Sequence, residues 1–280
     1  MSVNLMLVVL FAAVLHASWN AILKAGSEKF LDTALVTTGA AFVAAFPLLL
    51  GPLPAAASWP YLGASVAIHF VYFSFVALAF RAGDLSYVYP IMRGTAPLIT
   101  GLVALVAVKE PLTFGGWLGI ALLSLGILTL TGDSWRLGKL RLPPTVFSLA
   151  NALVIASYTV VDGIGIRLSD NAPAYVSWLF FLNAFPLLAL ALATRPQAFR
   201  THVEKNWGTG LLGGLCTAGS YGLSLWAMTY APIALVAALR ETSVIFATLI
   251  AAIFLNERFG ATRYVAAGMV TVGAAAMKVL

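Results

Sequence analysis

The chain has 280 residues, 61% of them hydrophobic and 9% charged, with a formal net charge of +6. A soluble domain carries roughly a quarter charged residues, so this sequence lacks the ionisable groups to clothe a water-facing surface of its size. The same composition excludes a disordered chain, and a single cysteine, Cys216, excludes a disulfide scaffold.

What is left is a polytopic membrane protein, whose surplus of Lys and Arg reads as loop charge rather than as a nucleic-acid surface. A helix needs roughly 20 mostly apolar residues to cross a ~30 Å hydrocarbon layer. Runs of that kind predict ten spans, over about 3–23, 33–53, 60–81, 85–107, 114–132, 144–166, 172–193, 208–230, 232–254 and 260–279. Short connections marked by Gly51, Pro52, Pro54, Pro196 and Pro232 separate them. The start Met1-Ser2-Val3-Asn4 has no basic region, so the first run reads as a retained helix rather than a cleaved signal. Lys and Arg outside the spans divide eleven to three between the odd-numbered connections and the rest. Positive charge stays inside, which places the odd connections in the cytoplasm and both termini outside. The expected location is the plasma membrane of a bacterium, its inner membrane.

The sequence repeats itself. At an offset of 139, Ala17-Ser18 falls on Ala156-Ser157, Gly26 on Gly165, and Ala45-Phe46-Pro47-Leu48-Leu49 on Ala184-Phe185-Pro186-Leu187-Leu188. At an offset of 147, Arg93 matches Arg240, Thr95 matches Thr242, Glu110 matches Glu257 and Gly126 matches Gly273. The expected fold is therefore an all-α integral membrane protein of ten transmembrane helices. Residues 1–135 and 143–280 form two five-helix repeats within one integrated membrane domain. Five is odd, so the second repeat enters from the opposite face, and such inverted repeats share a central cavity near the midplane.

The stretch from Phe75-Val76-Ala77-Leu78-Ala79-Phe80 to Pro97, followed by Lys109-Glu110-Pro111-Leu112 and a Gly-spaced helix from Gly115 to Gly126, carries a family resemblance. The second half repeats it as Leu225-Trp226-Ala227-Met228 through Ser243 and then Leu255-Asn256-Glu257-Arg258. The chain resembles the drug/metabolite transporter superfamily, in its EamA-like branch with two fused five-helix repeats. The resemblance implies export or exchange of a small solute; amino acids, drugs, nucleotide sugars and phosphorylated metabolites all occur among such substrates. His16-Ala17-Ser18-Trp19-Asn20 and Tyr87 through Gly94 are similar to a sub-branch with mostly unassigned substrates, some linked to phosphonate use. The small multidrug exporters of the superfamily carry an essential glutamate in the first helix, where this chain has His16 and no carboxylate.

Charge within hydrocarbon is costly unless paired or hydrated, so intramembrane charges mark function. They are Arg93 in span 4, Asp162 in span 6, and Arg240 and Glu241 in span 9. Each arginine lies eight residues into its span from opposite faces, a depth of roughly 12 Å. The two guanidiniums then straddle the midplane and offer planar donor forks to a carboxylate or phosphate. The alternative is a structural ion pair with Glu241 or Asp162.

The candidate substrate-binding residues are Arg93, Arg240, Glu241, His16, Trp19, Asn20, Tyr72, Tyr89, Tyr158 and Trp226, with Phe73 and Tyr221 as further aromatics near by. His16, Asn20 and Lys24 share one helix face, and Asn151, Tyr158 and Asp162 keep a similar register. Asp162, Glu241 and His69 are the candidates for proton coupling. Pro90, Gly94 and Pro97 predict a broken span 4, whereas span 9 has Ala237 and Val244 in place of the prolines. Glu110 and Glu257 are read as caps on neighbouring helix ends or as partners of Lys109 and Arg258.

No phosphate-binding loop, nucleophile elbow, zinc motif or cysteine pair occurs. The sequence therefore predicts no enzyme, no metal, no cofactor and no ATPase subunit. Its expected partners are a small-molecule substrate and the bilayer, with no nucleic acid. The oligomeric state stays open, a monomer included. The favoured function is a secondary active transporter, exporter or exchanger, moving a small organic anion or zwitterion by alternating access. The alternatives are a proton-coupled exporter of amphipathic or cationic compounds and, from another class, a lipid flippase component.

Overall fold

The computed structural model describes residues 1–83, 85–131, 142–255 and 261–279, and every regular element among them is a helix. In chain order these are α1 (Val3–Ala25), α2 (Lys29–Leu50), a short 3-10 turn (Ala56–Ser58), α3 (Trp59–Ala82), α4 (Leu85–Ala107) and α5 (Phe114–Thr129). There follow α6 (Leu142–Arg167), α7 (Ala172–Thr194), α8 (Pro196–Met228), α9 (Ile233–Arg240), α10 (Ser243–Leu255) and α11 (Ala261–Val279). Arg136, Lys139 and Arg141, which entered the charge count, and Asn256, Glu257 and Arg258 lie outside the described residues.

Side-chain caps start several helices where the chain must turn. Ser2 Oγ accepts the Leu5 amide at 3.3 Å, Thr113 Oγ1 the Gly116 amide at 3.1 Å, and Asn171 Oδ1 the Ala174 amide at 3.1 Å. Each predicted span coincides with helix, the ninth being shared by α9 and α10. Six segments are long and apolar enough to cross a membrane by length and composition: Val3–Ala25, Lys29–Leu49, Ala56–Val76, Tyr87–Ala107, Leu142–Arg167 and Ala172–Thr194. The apolar α5 is shorter, at 16 residues. The front of α8 is a polar segment set off by a non-helical Asn206 (φ −126°, ψ 16°), just before the predicted eighth span begins. Phe42, Phe46 and Leu49 on α2 are 73, 69 and 83% exposed, an apolar outer face that water would not tolerate and lipid would.

The expected helix break is in the other half. α4 continues unbroken through Pro90 and Pro97, and Gly94 is a packing site where a Cβ would come within 2.9 Å of Leu128 Cγ. A proline removes one amide donor and bends a helix without having to end it. The interruption falls at Glu241-Thr242, where i→i−3 bonds replace the α-helical ladder. Glu241 N bonds Ala238 O (2.9 Å), Thr242 N bonds Leu239 O (3.1 Å), and Val244 N bonds Glu241 O (3.1 Å). The Thr242 hydroxyl also donates to Leu239 O at 2.7 Å, taking a carbonyl that the ladder would have used.

The most extensive packing joins early helices to late ones: α5 to α11, α2 to α7 and α8, α1 to α8, and α6 to α3 and α4. Small residues bring backbones together at these crossings. A Cβ on Gly119 would lie 2.6 Å from Gly273 O, one on Gly273 2.8 Å from Gly119 O, and one on Gly126 3.1 Å from Ala266 O. The short α9 packs against α1 and α4, and this places Arg240 and Glu241 in the middle of the bundle.

Candidate functional site

The intramembrane charges come together and are sealed from solvent. Asp162, Glu241, Arg240 and Arg93 are 0, 2, 3 and 5% exposed. The break after α9 aims Glu241 at α4, where its Oε2 lies 2.8 Å from Arg93 Nε. The N–H is not aligned on that oxygen, so the contact is charge attraction more than a directed hydrogen bond. Arg93 Nη2 lies 3.1 Å from His16 Nε2, and the Trp19 indole nitrogen lies 3.3 Å from His16 Nδ1. The His16 and Trp19 rings meet edge to face at 5.3 Å.

Arg240 is different. Its guanidinium carbon lies 5.0 Å from the Tyr221 ring centroid, a cation–π arrangement. Its Nε meets no acceptor, and no carboxylate among the described residues comes within 4.0 Å of it. The two arginines are matched in sequence but not in environment: among the described residues Arg93 has a carboxylate in ion-pair range and Arg240 does not.

Beneath them Asp162 accepts a hydrogen bond from Tyr221 at 2.6 Å and another from Tyr175 at 3.1 Å. His69 stacks on Tyr158 with centroids 4.3 Å apart and an interplanar angle of 29°. Its Nδ1 is 2.9 Å from the Ser65 carbonyl, which can only accept, so that nitrogen carries the proton. Tyr72 and Tyr221 stand edge-on to Tyr158 at 5.8 and 6.0 Å, forming an aromatic box. Tyr89, half-buried, sits in the combined field of Arg93, Glu241 and Arg240.

Two expected members do not join this centre. Trp226 is 36% exposed and packs on Tyr230 at 5.1 Å near the end of α8, because its helix turns that face outward. Asn20 donates its amide to the His16 carbonyl of its own helix at 2.7 Å, as short polar side chains on helices often do. The Phe73 side chain lies outside the described groups. Pro90, Gly94 and Pro97 shape α4 without opening it. Tyr175 and Ser65 were not anticipated; Tyr175 reaches Asp162 from the start of the next helix, which no spacing rule reports. A recess lined by Leu102, Val103, Val106 and Ala107 lies on the outer face of α4 and offers no polar group.

Polar contacts fasten early and late helices at both ends of the bundle. At one end Glu110 Oε1 is 2.6 Å from Arg167 Nη1, and Glu110 Oε2 accepts the Ile233 amide, the first of α9, at 2.9 Å. Arg167 also donates to Met228 O at 2.7 Å and Ala231 O at 2.9 Å, satisfying carbonyls at the end of α8. The cap expected of Glu110 is present, and its ionic partner is Arg167 rather than Lys109. At the other end His202 Nε2 lies 2.9 Å from Asp32 Oδ1, and Arg195 lies 3.7 Å from Glu28.

Known proteins were compared with the chain as a whole. None of the curated proteins matches it. Chains of solved structures do, 27 of them. One, a crystal structure described only as that of a protein, is 18% identical, covers 99% of this chain and 97% of its own, and superposes with a TM-score of 0.77. That identity carries the fold alone. Residues 143–278 match the model of the EamA-like transporter family, whose members are transporters and not enzymes. Buried charges, apolar helices and this match over its second half make the chain similar to the multi-pass membrane transporters of the EamA-like family, in the drug/metabolite transporter superfamily.

Proposed function

We propose that the chain is a secondary active transporter of a small organic anion or zwitterion, with Arg240 as the principal anion ligand. One observation carries the reading: a guanidinium 3% exposed, with no acceptor at Nε and no carboxylate in ion-pair range among the described residues. A lone buried charge is expensive, and its retention calls for a counter-ion that comes and goes. The aromatic box beside Asp162 favours a cationic end on the same ligand, since tyrosine faces and a carboxylate both attract ammonium groups. It also keeps the proton-coupled export of cationic compounds as the second reading, with Asp162, Glu241 and His69 as the groups that take up the proton.

The ten-span, inverted-repeat architecture is part of this reading. Under exchange of the halves, α1–α8 packing corresponds to α6–α3, α2–α8 to α7–α3, and α4–α6 to the contacts of α1 with α9 and α10. The sequence offset of 147 likewise carries the Gly119–Gly273 contact onto Ala266–Gly126. Alternating access by rocking of the halves about Arg240 follows, in a bacterial inner membrane with both termini outside. Binding of ligand panels to purified protein, followed by thermal unfolding, tests the site. Arg240→Lys keeps the charge and loses the planar fork, so the affinity for an anionic ligand should fall ten- to a hundredfold. An unchanged affinity in a folded variant would make Arg240 structural and move the cationic substrate to first place.

A further inference from the structure

Both ring nitrogens of His16 face groups that can only donate. A guanidinium has five N–H donors and no acceptor, and an indole has one donor and no acceptor. Arg93 Nη2 is 3.1 Å from Nε2 and Trp19 Nε1 is 3.3 Å from Nδ1. A neutral imidazole has one accepting nitrogen and one N–H, so one of the two contacts sets an N–H against an N–H. Changing the tautomer moves the conflict without removing it, and flipping the ring would set carbon atoms against both donors. Protonation would make it worse, adding a second N–H and a third positive charge beside Arg93 and Arg240, both of which act on this ring. Glu241 does not resolve it, because its contact is with Arg93 Nε and not with either donor that faces His16. The arrangement asks for an acceptor-only atom, and no described protein group supplies one between these two donors.

We propose that His16 is a placeholder for the substrate: its imidazole stands where an oxyanion of the ligand sits between the Arg93 guanidinium and the Trp19 indole N–H. The proposal rests on the anion-transport reading above and adds a second contact point to Arg240. On binding, the ligand oxygen accepts from Arg93 and Trp19, and the displaced imidazole turns its N–H onto the ligand or a neighbouring carbonyl. The substrate group is thereby specified as one with several unprotonated oxygens, a carboxylate or phosphoryl group, able to span both arginines. A neutral hydroxyl or amide would bring a donor of its own into a place that already has too many.

The probes are inorganic phosphate and acetate, added to the purified full chain. The chain has three histidines, so imidazole nitrogen resonances can be assigned by single substitution. Saturating anion should move the accepting His16 nitrogen, whichever of the two it is, to the position of an imidazole relieved of that bond, with His69 and His202 less affected. Trp19→Phe should weaken anion binding roughly tenfold, and His16→Phe, which removes the competing acceptor, should tighten it roughly three- to tenfold. Weaker binding by His16→Phe would make the histidine a ligand in its own right and overturn the placeholder. So would unchanged His16 resonances in wild-type protein that anion still stabilises through Arg240. If neither probe stabilises the wild type and Arg240→Lys behaves like it, the anion reading has failed and the placeholder with it.

Discussion

At Arg93 and Glu241 two charges are held 2.8 Å apart with side chains 6 and 3% exposed, and at that depth removing one partner leaves the other stranded. Glu241→Gln should destabilise the fold by about 3–5 kcal/mol, read as a lower unfolding temperature in detergent. Arg240→Gln removes a charge with no carboxylate in ion-pair range among the described residues and should cost far less, or stabilise. Equal losses in the two variants would refute the assignment of paired and unpaired arginines. The identities of these groups were legible in the sequence, because any charge inside an apolar run stands out. Their pairing was not: successive helical residues diverge by ~100°, so a small rotation decides whether residue 240 or 241 faces α4. Trp226 shows the same limit, since its ring type says nothing about which face of α8 it occupies.

The element that most depends on tertiary contacts is α9. Eight residues long, it is below the length at which a helix holds itself together in isolation. Glu110 caps its first amide, and Glu241, at its last turn, is drawn to Arg93. Both anchors belong to α4 or the connection that follows it, so α9 moves with α4. Arg167→Ala frees the Met228 and Ala231 carbonyls and removes the ion that orients Glu110. Amide hydrogen exchange over residues 229–235 should speed up by about tenfold or more, while α6 itself stays protected. Uniform exchange across the molecule would point to global destabilisation instead. The break beyond α9 was not legible in the sequence: Pro90 and Pro97 advertise irregularity, yet the helix that ends early has no proline, only a glutamate with a partner across the bundle.

At the scale of the whole molecule each apolar run falls on helix among the described residues, whereas the polar front of α8 and the division between α9 and α10 gave no such signal. The orientation rests on Lys and Arg alone. A reporter active only in the cytoplasm, fused after Leu280, should stay silent, and activity would reverse the topology. The charge count at the centre reaches further. With both carboxylates ionised the four central charges sum to zero, yet only Arg93 and Glu241 meet as an ion pair, leaving Asp162 on two tyrosine hydroxyls and Arg240 over the Tyr221 ring. Arg240 and Asp162 are the two buried charges with no ion-pair partner among the described residues, and a zwitterionic ligand would answer both. If such a ligand completes the site, the return stroke should be slow without cargo. Efflux of labelled substrate from proteoliposomes should rise roughly tenfold when unlabelled substrate is supplied outside, and Arg240→Gln should abolish that acceleration along with the substrate's grip on the cycle.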